Sequence, residues 1–243
     1  MIVLGILLRP RLRAAGIHLS ALVLMCGSVF ALGNECSPPS IVLNAFDRNF
    51  AIQRDLRRED INVEIDRKPV KVVSLSLDAR PRRIVLMVDI SGSMRPSLLS
   101  RGFYPAAAYA VDVIPPGASS ALVTFSDKLR RESDGFEDPK VIGAKVVDLA
   151  KKDAHGGRTA LFDSIEKVLV EFTELQFGDS IYVVTDGGDN RSKIRLSQLE
   201  QKLIDRGVRV FVFKIDRKGP LSADEVDGAL EVENIAKFTG GIS

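Results

Sequence analysis

The stretch 85-VLMVDISGSMRP-96 begins as a strand and ends as something else. Apolar residues from Ile84 to Val88 lead into Asp89, then Ser91 and Ser93 flank Gly92, and Pro96 follows. Three short oxygen-bearing side chains at every second position, closing a hydrophobic strand, fit two descriptions. They are either a polar turn or half of a site that grips a ligand. The choice depends on where this strand lies and what stands beside its end.

After Arg83, apolar strand-like runs alternate with helical patterns. The pattern predicts strand 84–89, helix 97–113, strand 119–126, helix 138–152, helix 159–174, strand 179–186, helix 194–206, strand 208–215 and helix 223–238. Runs such as IVLMVD, IYVVTD and VRVFVFKID are apolar on both faces. Strands buried on both sides belong in a parallel sheet covered by helices. The expected architecture is therefore α/β, an open, mostly parallel, doubly wound Rossmann-like sheet. Ligands of such sheets sit at the carboxyl ends of the strands, where strand order reverses.

Ahead of it, residues 40–77 alternate with period two. Ile61, Val63 and Ile65 stand against Asn62, Glu64 and Asp66, and Val73, Leu75 and Leu77 against Ser74 and Ser76. With 66-DRKP-69 as a turn this predicts a hairpin, and 40-SIVLNAF-46 a third strand. So few strands cannot close a large core. The expected organisation is a small β-rich module over 34–80, a linker at 78-DARPRR-83, and the α/β domain over 82–243.

Residues 1–33 read differently. Arg9, Arg11 and Arg13 precede an apolar run from Ala14 to Gly33 without an acid, ending in the small residues Ala31 and Gly33. That is the pattern of a secretory signal peptide, with an uncleaved membrane anchor as the alternative. Export predicts a secreted or periplasmic protein. Cleavage would remove Cys26 and leave Cys36 alone, so no internal disulfide is expected. The formal charge of +2 also comes from this segment: 34 basic residues less three arginines leaves 31 against 32 acidic ones. There is no basic stripe and no tryptophan, which argues against a nucleic-acid partner.

Within the α/β frame, Asp89 ends one strand and Asp186 ends another (181-IYVVTDGG-188), so both acids reach the same rim. In 156-GGRTALFDSI-165, Thr159 opens a helix, where its hydroxyl can cap the helix or turn to the rim. Asp89, Ser91, Ser93, Thr159 and Asp186 then form a cluster of oxygen donors. Such a set suits Mg²⁺ or Mn²⁺, hard ions that take six oxygens in near-octahedral geometry. Ser91 and Ser93, two apart in an extended loop, would point the same way. An ion held by few carboxylates and several neutral hydroxyls stays electron-poor and draws an anionic ligand from outside.

The set 89-DISGS-93, Thr159 and Asp186 resembles the metal-ion-dependent adhesion site (MIDAS) of a von Willebrand factor type A (VWFA) domain. The resemblance extends to 105-PAAAYAVDVIPPGASSALVTFSD-127, 185-TDGGDNRSK-193 and 235-IAKFTGG-241, together spanning residues 82–243. The run 59-EDINVEIDRKPVKVVSL-75 resembles the leader module ahead of such domains in secreted bacterial proteins. The resemblance implies that Ser91, Ser93 and Thr159 ligate the metal, with Asp89 and Asp186 acting directly or through water. It also implies a protein partner that supplies a Glu or Asp, and a binding module rather than an enzyme. In the family the Thr-Gly-Gly segment precedes a further strand and a closing helix. The chain stops at Ser243, so the last sheet strand is expected to be missing and the domain C-terminally incomplete.

Competing chemistry fits less well. An aspartyl-phosphate mechanism at Asp89 would want a second Asp two residues on, where Ser91 stands. A serine nucleophile would want a Gly-x-Ser-x-Gly elbow and a histidine base, and only His155 remains beyond the leader. The pairs Gly156-Gly157 and Gly187-Gly188 fit neither dinucleotide nor P-loop spacing and read as tight loops. Asp189 reads as a solvated loop acid. Leu196, Leu199, Leu203 and Ile204 share a helix face that reads as core. The alternative to a metal-dependent binding module is a structural or assembly component of the envelope with a vestigial, metal-free site.

Overall fold

The computed structural model describes residues 2–6, 40–43, 55–77, 81–94, 103–151, 156–174, 176, 178–215 and 223–243. The chain divides into two units, Met1–Ala79 and Arg80–Ser243. Residues 7–39, which carry most of the expected signal peptide with Cys26 and Cys36, lie outside the described residues, as do His155 and the expected helical turns at 97–102.

In the first unit, β1 (Ile2–Ile6) is the middle strand of an antiparallel sheet between β2 (Ser40–Leu43) and β5 (Val72–Leu77). The strand β1 therefore falls inside the segment read as a signal peptide. A separate hairpin joins β3 (Val63–Ile65) to β4 (Lys68–Val70). Its turn is the two residues Asp66 and Arg67, both at positive φ (51° and 62°), the backbone that lets a two-residue turn follow strand twist. The expected hairpin between 61–65 and 73–77 is thus corrected: β3 turns back at once onto β4, and β5 pairs with β1. Val72 is the buried centre of a small cluster with Ile61, Val63, Val70 and Leu75.

In the second unit the alternation of side chains along each strand decides the layering. The sheet has the order β10-β9-β6-β7-β8. Its strands are β6 (Arg83–Asp89), β7 (Ser119–Phe125), β8 (Leu129–Arg131), β9 (Ser180–Thr185) and β10 (Arg209–Lys214). All neighbours run parallel except β8, which is antiparallel to β7. Odd residues of β6, Val85 and Met87, join Val123, Phe125, Val183 and Val210 on one face. Even residues, Ile84, Leu86 and Val88, join Leu122, Tyr182 and Val184 on the other.

Helices cover both faces. On the first lie α3 (Leu161–Val168), α4 (Leu196–Asp205) and α5 (Ala223–Thr239), through Leu161, Phe162, Ile165, Leu199, Leu203 and Ile235. On the second lie α1 (Phe103–Asp112) and α2 (Pro139–Lys151), through Ala107, Ala110, Ile142 and Val146. Each fully buried Val, Leu or Phe contributes roughly 1.5–3 kcal/mol, so the two faces of β6 carry much of the fold. The α/β, doubly wound, mostly parallel architecture expected from the sequence is the one observed. Ile204 is a correction: it is 49% exposed, and only Leu199 and Leu203 of that helix face are buried.

At the end of the sheet opposite the carboxyl rim, the guanidinium of Arg83 donates from Nε (3.0 Å) and an η nitrogen (2.6 Å) to the two oxygens of buried Asp179. It stands over the rings of Phe136 and Phe172, at 5.6 and 5.5 Å from their centroids. Among the described residues no helix is long and apolar enough to cross a membrane.

The chain leaves β6 towards β7 on one side and returns through β9 and β10 on the other. Strand order therefore reverses between β6 and β9, and this places the carboxyl ends of those two strands side by side.

Candidate metal centre

Asp89 ends β6 at that reversal and is fully buried. One carboxylate oxygen accepts the backbone N–H of Ser91 at 2.8 Å. The other accepts the hydroxyl of Thr185, the last residue of β9, at 2.7 Å. Thr185 Oγ1 in turn accepts the N–H of Gly187 at 3.1 Å, closing the turn that carries Asp186. Gly187 adopts φ 94°, a backbone that a side chain would strain.

The two serines do not sit in an extended loop, as the sequence suggested. Gly92–Met94 is a 3₁₀ turn, with the N–H of Met94 donating to Ser91 O at 3.1 Å. The turn still brings the hydroxyls together: Ser91 Oγ and Ser93 Oγ are 3.0 Å apart. With metal–oxygen bonds of about 2.1 Å, adjacent ligands of an octahedral Mg²⁺ are also about 3 Å apart. The spacing fits two neighbouring positions around one small ion.

Thr159 is drawn to this loop by the backbone. Gly92 N–H donates to Gly157 O at 3.1 Å, and Gly156 N–H to Ile90 O at 3.0 Å. Thr159 itself is buried. Of the two roles open to its hydroxyl, capping is taken by other residues. The N-cap of α3 is Ala160, and the first-turn N–H groups of Phe162 and Asp163 donate to Asp189 Oδ2 and Ser192 Oγ, both at 2.9 Å. Asp189 is thus no solvated acid. It caps α3 and also accepts the N–H groups of Arg191 and Ser192.

Asn190 is the residue that sequence reading passed over. Its side-chain oxygen accepts the N–H of Thr159 at 3.1 Å, and its own N–H donates to Thr159 O at 3.0 Å. The segment 186–190 therefore carries Asp186 at one end and positions Thr159 at the other.

Burial pushes the Asp89 carboxyl up to about 7, against the hydrogen bonds from Thr185 and Ser91, and the neighbouring Asp186 charge pushes the same way. On α5, Glu231 is raised first by partial burial and then by Asp189 and Asp227. The rim is electronegative, and a divalent cation would offset the penalty on the ionised Asp89 carboxylate. The donor set fits a hard cation: two hydroxyls at ligand spacing, a third hydroxyl residue tied to their loop, the buried Asp89 carboxylate bonded to Ser91 N–H, and Asp186 at the end of the neighbouring strand. Asp89, with both oxygens already accepting hydrogen bonds, is suited to orienting Ser91 and supplying charge.

No group of three or more His, Cys, Asp or Glu side chains suited to a metal occurs among the described residues, so any site here depends on hydroxyls. The groove of about 700 Å³ between α3 and α4, lined by Asp163, Glu166, Lys193 and Lys202 among others, contains none of the five donors.

Residues 47–222 match the family described as VWA domain containing CoxE-like protein, and the chain belongs to that family. Proteins of this class are in general interaction modules rather than enzymes. Solved structures similar to the chain include BatB from Bacteroides thetaiotaomicron, at 18% identity over 66% of this chain and 87% of that one, with a TM-score of 0.48. An aerotolerance-related membrane protein from Bacteroides fragilis is 19% identical over 66% and 89%, with a TM-score of 0.48. Manganese-loaded Plasmodium vivax TRAP protein is 20% identical over 64% and 73%, with a TM-score of 0.46. Among the curated proteins nothing matches.

Proposed function

We propose that the chain is an exported, bacterial, metal-dependent protein-binding module. Ser91, Ser93 and Thr159 hold Mg²⁺ or Mn²⁺, and Asp89 and Asp186 supply charge directly or through water. The ion's remaining position captures a Glu or Asp side chain of a protein partner. The observation that carries this reading is the 3.0 Å pair of serine hydroxyls standing over a buried aspartate at the switch point of the sheet. When bound, the ion supplies a Lewis-acidic position open to an anion. The chain's own residues fix the ligands.

Export rests on the basic and apolar N-terminal segment, and recovery of the mature protein outside the cytoplasm would test it. For the site, calorimetry with Mg²⁺ and Mn²⁺ is decisive. Heat of binding and a rise in unfolding temperature support the metal reading, and partner capture should then vanish with EDTA or with Asp89→Ala. Absence of both heat and thermal shift overturns it in favour of a metal-free structural component of the envelope.

A further inference from the structure

Gly228 lies in the interior of α5, where glycine is less favourable than alanine because its backbone has more freedom to lose. The reason for its place is contact. A Cβ at this position would stand 2.8 Å from Gly187 O, 3.2 Å from Asp189 N and 3.3 Å from Gly188 Cα. All three are backbone atoms of the rim segment, so no flexible side-chain end can yield. On its other side the same segment is pinned by Asn190 to Thr159 and by Asp189 to the first turn of α3. A methyl group at 228 must therefore displace the strip that carries Asp186 and holds Thr159. Gly143 in α2 makes the contrast: a Cβ there meets Val111 Cγ1 at 3.5 Å, an ordinary contact.

We propose that Gly228 is a positioning residue of the metal centre. Its missing side chain lets α5 seat segment 186–190 so that Asp186 and Thr159 meet the Ser91–Ser93 pair. It acts through the loop and touches neither the ion nor its ligands. This inference rests on the metal reading above.

The test compares Gly228→Ala with Gly143→Ala in the full chain, titrating Mn²⁺ by calorimetry and electron paramagnetic resonance. Metal-free unfolding temperature is recorded for each. Wild type and Gly143→Ala should bind Mn²⁺ alike, while Gly228→Ala binds about tenfold or more weakly. Displacing backbone should also lower the metal-free unfolding temperature of Gly228→Ala, while the transition stays cooperative. A merely structural glycine would lower that temperature and leave the Mn²⁺ affinity of the folded protein at the wild-type value.

Wild-type affinity in Gly228→Ala overturns the inference and leaves the metal reading intact. No Mn²⁺ binding by the wild type overturns the metal reading itself. Hydrogen exchange of the wild type decides the matter without any variant. Mn²⁺ should slow exchange in α5 around Gly228 together with the rim, and protection confined to the rim overturns the coupling.

Discussion

Asn190 holds Thr159 by both backbone groups, taking its N–H on the side-chain oxygen at 3.1 Å and giving its own N–H to the Thr159 carbonyl at 3.0 Å. The two residues are 31 apart in sequence, yet the loop that carries Thr159 owes its position to this pair. Asn190→Ala removes the side-chain half of the clamp and leaves the backbone half. Partners one step behind metal ligands typically matter about 10- to 100-fold in affinity. Mn²⁺ binding should weaken within that range, while stability falls by only about 1 kcal/mol, as for one lost hydrogen bond. Calorimetry and chemical denaturation of the same variant check both numbers.

Stability should depend most on a pair far from the rim. Arg83 and Asp179 are bound through two hydrogen bonds, Asp179 is 1% exposed, and the guanidinium stands over Phe136 and Phe172. Removing one partner of such a pair leaves a buried charge unmatched, which costs about 3–5 kcal/mol. Arg83→Ala should therefore lower the denaturation midpoint sharply. Where the variant remains folded, its Mn²⁺ affinity should match the wild type. Arg83→Met, which removes the cation but keeps apolar contact with both rings, should fare no better than alanine if the buried Asp179 charge dominates.

The core and the rim were legible because they depend on local period. Ile84 to Val88 are apolar at every position, and only a sheet covered on both faces explains that. That inference alone brings Asp89 and Asp186 to one edge. What escaped depends on distant partners. The strand β8 is three residues, Leu129–Arg131, with two exposed arginines at a sheet edge, too short and too polar to show a period. Asp189 looked solvated because its role lies in the N–H of Phe162, 27 residues away. The pairing of β5 with β1 was hidden for another reason: the residues of β1 belong to a basic, apolar leader whose composition points to export.

The turn of the β3–β4 hairpin gives an independent test in the first unit. Asp66 and Arg67 both adopt positive φ, and for Arg67, with a full side chain, that backbone costs about 1–2 kcal/mol relative to glycine. Asn and Gly are the residues this turn geometry favours. The double variant Asp66→Asn/Arg67→Gly should stabilise the hairpin by about 1 kcal/mol, offset in part by the greater freedom of glycine in the unfolded chain. Slower amide exchange across β3 and β4 would register the gain. Mn²⁺ affinity should not change.

Asp89 makes the metal-free protein depend on pH in an unusual direction. Its carboxyl is raised from 3.8 to about 7, by burial first, so between those values the folded chain holds a proton that the unfolded chain has released. Stability from this residue is fully present below about pH 4 and is lost as pH rises through about 7, at most about 4 kcal/mol. Most paired carboxylates have the opposite slope. The contribution is therefore read as the difference between wild type and Asp89→Asn, which cannot titrate. Without metal, wild type should lose stability relative to Asp89→Asn between pH 5 and pH 7.5. Adding Mg²⁺ at pH 7.5 should restore wild type and leave Asp89→Asn unmoved, because only the ionised carboxylate gains from the cation. At pH 5 the same addition should do little, since proton and metal compete for the same buried charge. Parallel pH profiles for the two proteins would refute the assignment of this titration to Asp89.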